Sequence, residues 1–209
     1  MNVRWLKWAT GVVALFGFSC NQSQVPGDEV MGTVQFHAEP YEWSCRTDAG
    51  EPSLAEQSTA PFDFQAILSH NRGTGEAFVT LNNFPRPALF DGQVLTSVQS
   101  ATRFFAACEK CPHLLVEETI AVSLLSKSQS DLAQGACPPS PLDGGVALPD
   151  GGNGVTGPST TAQGGFDMLR ACGEVVNVVR AGPDAGENNE ACTPCVGCSM
   201  KSTLTGTRQ

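Results

Sequence analysis

Between Leu114 and Leu124 the chain alternates with a period of two: Leu114, Val116, Ile120, Val122 and Leu124 share a face, and Glu118 interrupts the stripe. Successive side chains of a strand point to opposite faces, so this pattern specifies a β-strand with one buried face. A carboxylate in such a stripe must lie at a sheet end or meet a partner, because burying an unpaired charge is costly. Thr33–Ala38 follows the same rule, with Val34, Phe36 and Ala38 together. So does Phe62–Leu68, with Phe62, Phe64, Ala66 and Leu68. Ala77–Phe84 reads as an apolar strand ending at Pro85, and Val94–Ser100 with Arg103–Cys108 as one strand or two. Ser199–Arg208 is polar and Thr-rich, which suits an edge strand. The joints His70–Gly75 and Phe90–Gly92 are short and turn-like, and successive strands so joined form antiparallel meanders.

One segment favours a helix. Phe166, Leu169, Cys172, Val176 and Val179 recur at helical spacing, and Gly182-Pro183 is a stop signal. The valines at 175, 176, 178 and 179 prefer strand, so the reading is helix over 166–173, with 174–180 open between the two. Pro138 to Gly165 holds five Pro and eight Gly in 28 residues, too little apolar surface to offset its ordering entropy. It is expected to be a long disordered insertion, with Ala181–Glu190 a shorter acidic loop. The fold class expected is mainly β: an antiparallel β-sandwich or small barrel with at most one packed helix.

Residues 1–20 read MNVRWLKWATGVVALFGFSC. Arg4 and Lys7 give a positive start, and Trp8 to Phe18 is an uncharged run of 11 residues. As a helix it would be about 16 Å long, half of a hydrocarbon core of about 30 Å, and suited to a signal-peptide core rather than a span. Small residues follow at Gly17 and Ser19. This segment resembles bacterial lipoprotein precursors, in which a lipobox ends at the cysteine that becomes the lipidated N-terminus. Ser19 fits the position before that cysteine, while Gly17 stands where Leu is usual and Phe18 is bulkier than usual. The resemblance implies lipidation at Cys20 and anchoring by more than one acyl chain, the condition for stable membrane attachment. Residue 21 is Asn rather than the Asp that often retains lipoproteins in the inner membrane, which favours the outer membrane. Plain secretion or a periplasmic location is the alternative. The expected organisation is a signal peptide over 1–19, a lipidated tether over 20–31 and one domain over 32–209 with its insertion at 138–165.

Removing Cys20 from nine cysteines leaves an even set: Cys45, Cys108, Cys111, Cys137, Cys172, Cys192, Cys195 and Cys198. Exported cysteines mature under oxidising conditions and usually end as disulfides, so all eight are disulfide candidates. Cys137 is expected to pair with Cys172 and close the insertion at its base. The 108/111 pair is expected to meet the 192–198 cluster. The alternative is a metal or thiol-redox site built on the two CxxC clusters. A thioredoxin-type thiol needs a helix N-terminus, whereas VGCSMKSTLTG after Cys195 reads as loop then strand.

The catalytic inventory is thin. His37 lies opposite the apolar face of its strand, so it should face solvent, and His70 opens a turn. His113 stands near Glu109, Glu117 and Glu118, a set that could serve an envelope hydrolase. No nucleophile elbow, H-E-x-x-H or phosphate-cradling glycine loop occurs. A net charge of −9 disfavours nucleic acid and anionic lipid surfaces as partners. The expectation is a lipid-anchored cell-envelope protein with a non-enzymatic binding or structural β-domain. Its membrane contact runs through the lipid, a protein or glycan partner is unspecified, and no cofactor, metal or catalytic residue is assigned.

Overall fold

The computed structural model describes residues 25–44, 60–103, 114–138, 140, 142, 158–162, 165–182, 192 and 196–209. Its elements are β1 (Glu29–Trp43), β2 (Phe62–His70), β3 (Glu76–Leu81), β4 (Phe84–Phe90), β5 (Val94–Arg103), β6 (Leu114–Leu125), α1 (Lys127–Leu132), β7 (Arg170–Ala181) and β8 (Cys198–Arg208). Each strand pairs antiparallel with the next, and β8 pairs with β1, so the meander closes into an up-and-down barrel.

The period-two stripes line the interior. Val34, Phe36 and Ala38 of β1, Ala66 and Leu68 of β2, and Ile120, Val122 and Leu124 of β6 are all buried in one cluster. The outer face carries ion pairs, among them His37–Asp63, Arg180–Glu117 at 3.4 Å and Lys201–Glu42 at 3.1 Å. An apolar lumen under a charged outer wall inverts the pattern of lipid-embedded barrels.

Three readings of the sequence need correction, and one element was not foreseen. Ser199–Arg208 is no edge: β8 pairs with β7 on one side and β1 on the other, and closure removes edges. Ala77–Phe84 is not one strand, because Asn82 and Asn83 adopt positive φ of 49° and 65° and turn the chain back as a tight hairpin. The expected helix over 166–173 is absent. Phe166 to Leu169 is non-helical, with Met168 N bonding the Phe166 carbonyl at 3.0 Å in a tight turn, and leads into β7, whose residues pair with β6 from Arg170 to Ala181. Two flanking strands outweigh a helical spacing that β-branched residues never favoured. Finally, the helix that does form, α1, lies over Lys127–Leu132, where Ser126 and Gln129 cap its start reciprocally.

The tether and insertion are shorter than their sequence boundaries. Glu29 and Met31 already belong to β1, and Met31 is fully buried. At the far end of the insertion Pro158 is buried and Thr160 bridges Phe166, while at its near end Ser140 donates to Glu174. Residues 143–157 lie outside those described.

The two ends of the barrel differ. One end receives the β2–β3, β4–β5 and β6–β7 connections and is filled. Phe166 and Met168, from the segment before β7, plug it, and Arg208 holds the carbonyls of both. His70, Phe90 and Phe166 meet edge to face there, with centroids 5.4–5.9 Å apart. Gly206 gives Phe36 its place in the layer above: a Cβ at 206 would sit 2.8 Å from the ring. Glu29 is buried beneath this floor. It accepts from His70 Nε2 at 2.8 Å and Thr160 at 2.7 Å, and Arg72 lies 3.3 Å away. The opposite end, the mouth, is where β1, β5 and β7 finish; the β1–β2, β5–β6 and β7–β8 connections there lie largely outside the described residues, and Leu114, Val179, Cys192 and Cys198 form a second buried cluster.

Closure is uneven. β5 pairs with β6 along its whole length, but with β4 only at Leu89↔Thr96 and Phe90↔Leu95. The amide of Phe90 bonds Gly75, so the even residues of β4 face β3 and its odd residues face β5. Those odd residues include Pro85 and Pro87, which have no N–H to give. β4 and β5 therefore part above Leu89. The Pro87 carbonyl accepts from the Ser97 hydroxyl at 2.8 Å.

Candidate ligand site in the barrel mouth

Above the filled floor the described residues line two cavities. A cavity of about 230 Å³ is lined by Phe62, Phe64, Leu81, Ile120 and Val175, with Gln65, Asn82, Arg86 and Glu118. A second chamber of about 130 Å³ is lined by Gln99, Ala101, Arg103, Val116 and Asn177, again with Arg86 and Glu118. The two chambers share one wall element, the Arg86–Glu118 ion pair.

Each strand supplies its part by alternation. β2 delivers Phe62 and Phe64, which stack in line with buried Phe36 at centroid distances of 5.9 and 5.1 Å. This row of rings climbs from the core to the rim, where Phe62 is 47% exposed. β6 and β7 bring Glu118 and Asn177 directly opposite one another, and Ile120 opposite Val175. β4 brings Arg86. Its guanidinium reaches inside β5 to Glu118 on β6, so a side-chain strut spans the stretch where β4 and β5 have parted. Arg86 and Glu118 keep 25% and 31% side-chain exposure, so the pair borders the open space rather than being sealed in the core.

Among the described residues lining the chambers the formal charges are Arg86, Arg103 and Glu118, one positive in sum. Arg86 is balanced by Glu118, and Arg103 stands at the rim with no ion-pair partner among the described residues. An apolar chamber with a few convergent polar groups is the usual form of a small-molecule site, and an eight-stranded barrel leaves room for one such ligand.

Sequence reasoning reached some of this site. It placed Phe62, Phe64 and Ile120 on inward faces and required a partner or a sheet end for Glu118; Arg86 is that partner. Arg86 itself went unnoticed, because one Arg between two prolines carries no periodic signal. His37 does face solvent. It bonds Asp63 at 2.8 Å, and this bond, with Glu39 nearby, holds its pKa above the ordinary value. His70 does more than open a turn: it is nearly buried against Glu29. Burial alone would push the Glu29 carboxyl up, but Thr160, His70 and Arg72 outweigh it and hold the pKa below the ordinary 4.5.

Cys137 and Cys172 form the expected disulfide, with Cα atoms 5.4 Å apart, tying the start of the insertion to the outside of β7. Cys192 and Cys198 are also disulfide-bonded, and both are buried with Leu114 and Val179. The expected site residues Cys20, Cys45, Cys108, Cys111, Cys195 and His113 lie outside the described residues. Among the described residues no group of three or more His, Cys, Asp or Glu could hold a metal ion, and no helix is long and apolar enough to cross a membrane.

No protein-family model, no curated protein and no solved structure matches this chain. Its chemistry is therefore read from the barrel itself.

Proposed function

We propose that this chain is a cell-envelope lipoprotein whose barrel binds a small amphipathic ligand in its mouth. The observation that carries the reading is the aromatic-lined cavity bordered by one ion pair, in the lumen above a floor filled by Phe166 and Met168. Apolar surface left uncovered in a lumen disfavours the empty state, and a ligand that covers it gains about 25 cal/mol per Å² buried. Among the described lining residues Arg103 is the excess charge, and it favours a ligand whose polar end is anionic.

Anchoring through Cys20 fits this geometry. β1 starts at the floor, so a lipid before it would hold the barrel by its closed end, with the mouth turned away from the membrane. The charged outer wall suits a domain standing in water beside a bilayer rather than within it.

Two measurements test the proposal. Intact mass of the membrane fraction, taken with and without reduction, should show a chain beginning at Cys20 with added acyl mass; a soluble full-length product would contradict the anchor. Anilinonaphthalene sulfonate, an apolar body with an anionic head, should bind the folded domain and brighten. Val175→Phe, which fills the larger chamber, should abolish the signal without unfolding the barrel. Undiminished brightening by that variant would place the dye elsewhere and remove the mouth as the site.

A further inference from the structure

We infer that the ligand is a straight-chain carboxylate that reaches the mouth through the open seam between β4 and β5. This rests on the mouth being a ligand site and goes further in naming the ligand and its path.

The seam is built by sequence. The hydrogen bond from Asp91 N to the Val94 carbonyl sets the parity of β5: its even residues face β4. In this register the carbonyls of Val98 and Ser100 face Pro87 and Pro85, which have no N–H to donate to them. No ladder pair joins β4 to β5 beyond Thr96. The gap opens directly on the second chamber, whose walls include Arg86 on one side and Gln99, Ala101 and Arg103 on the other. The Arg103 guanidinium and the carboxamides of Gln99 and Asn177 line this chamber as donors. Such a set recognises a carboxylate, and charge-assisted bonds of this kind are the stronger ones.

The larger chamber takes the other end. It lies past the Arg86–Glu118 strut and is walled by Phe62, Phe64, Leu81, Ile120 and Val175. A molecule occupying both chambers must be thin where it passes that ion pair, with its head at the seam and its tail under the rings. An unbranched alkyl chain can thread past that ion pair, whereas a fused ring is confined to the larger chamber. Glu118 adds discrimination: it neutralises Arg86 and repels a carboxylate that enters too far, so the head stays beside Arg103.

The experiment compares octanoate, octylammonium, octanol and cyclohexanecarboxylate by calorimetry on the mature domain, then follows octanoate binding in stopped flow to wild type and to Pro85→Thr/Pro87→Thr. Octanoate should bind about tenfold or more tighter than each of the others. Restoring two N–H donors should zip the seam, seen as new hydrogen-exchange protection at Val98 and Ser100, and should slow octanoate association about tenfold. Equal affinity for octanol or octylammonium would overturn the head-group assignment. Unchanged association in a variant that has gained protection would overturn the path, and no gain of protection would overturn the role of the prolines. Failure of all four probes to bind would remove the mouth as a ligand site altogether, a result distinct from loss of selectivity or of rate.

Discussion

At the scale of single residues, the barrel shows which exceptions to a pattern carry meaning. Glu118 breaks a stripe of aliphatic residues and is the wall of both chambers. The sequence made that exception visible but not its partner, since β4 and β6 are brought within side-chain reach only by the curvature of a closed sheet. Gly206 shows the opposite case, a residue without pattern on which packing depends. A Cβ there meets Val34 at 2.6 Å and Phe36 at 2.8 Å. Gly206→Ala should lower unfolding free energy by about 1–3 kcal/mol, as overpacking does, measured by urea denaturation. Glu29 sets the acid limit. Its pKa is below 4.5 in the fold, so its contribution to stability is present above about pH 4.5 and is lost as pH falls through the lowered value. Glu29→Gln should therefore be less stable at about pH 7 and decline less steeply in acid; parallel acid curves for the two proteins would contradict this.

At the scale of elements, strands were legible where one face is dry and the other wet, as in β1, β2 and β6. The β3–β4 hairpin was missed because the two asparagines that turn it sit between apolar residues and look like a continuation. β7 was misread because its outer face is covered too. Cys172 and Glu174 are buried on the outside, under Cys137, Tyr41 and Ser140, so the alternation that marks a strand was blurred. That outer layer is held by one covalent tie. Cys137–Cys172 closes a sequence separation of 35, and restricting a loop of that size in the unfolded chain is worth about 3–4 kcal/mol. Replacing both cysteines with Ala should lower the unfolding free energy by that amount while the barrel's circular dichroism is kept. An unchanged denaturation midpoint would show that the tie adds nothing to the fold.

At the scale of the whole molecule, the meander was readable and its closure was not. Alternation and short joints fix the neighbours of each strand, but the pairing of β1 with β8 brings together the two ends of the described chain, which no local signal reports. The mouth follows from closure. Its cavity exists because eight strands enclose more width than the described side chains around Phe64 and Arg86 fill, while Phe166 and Met168 block the floor. The most direct test of the account is a chemical-shift map of the mature domain, with Cys20→Ser, titrated with octanoate. The account predicts saturable shifts at Phe62, Phe64, Ile120, Val175 and Arg103, with the floor residues Met31, Phe166 and Leu124 unmoved. Shifts confined to the outer wall, or none at saturation, would contradict it.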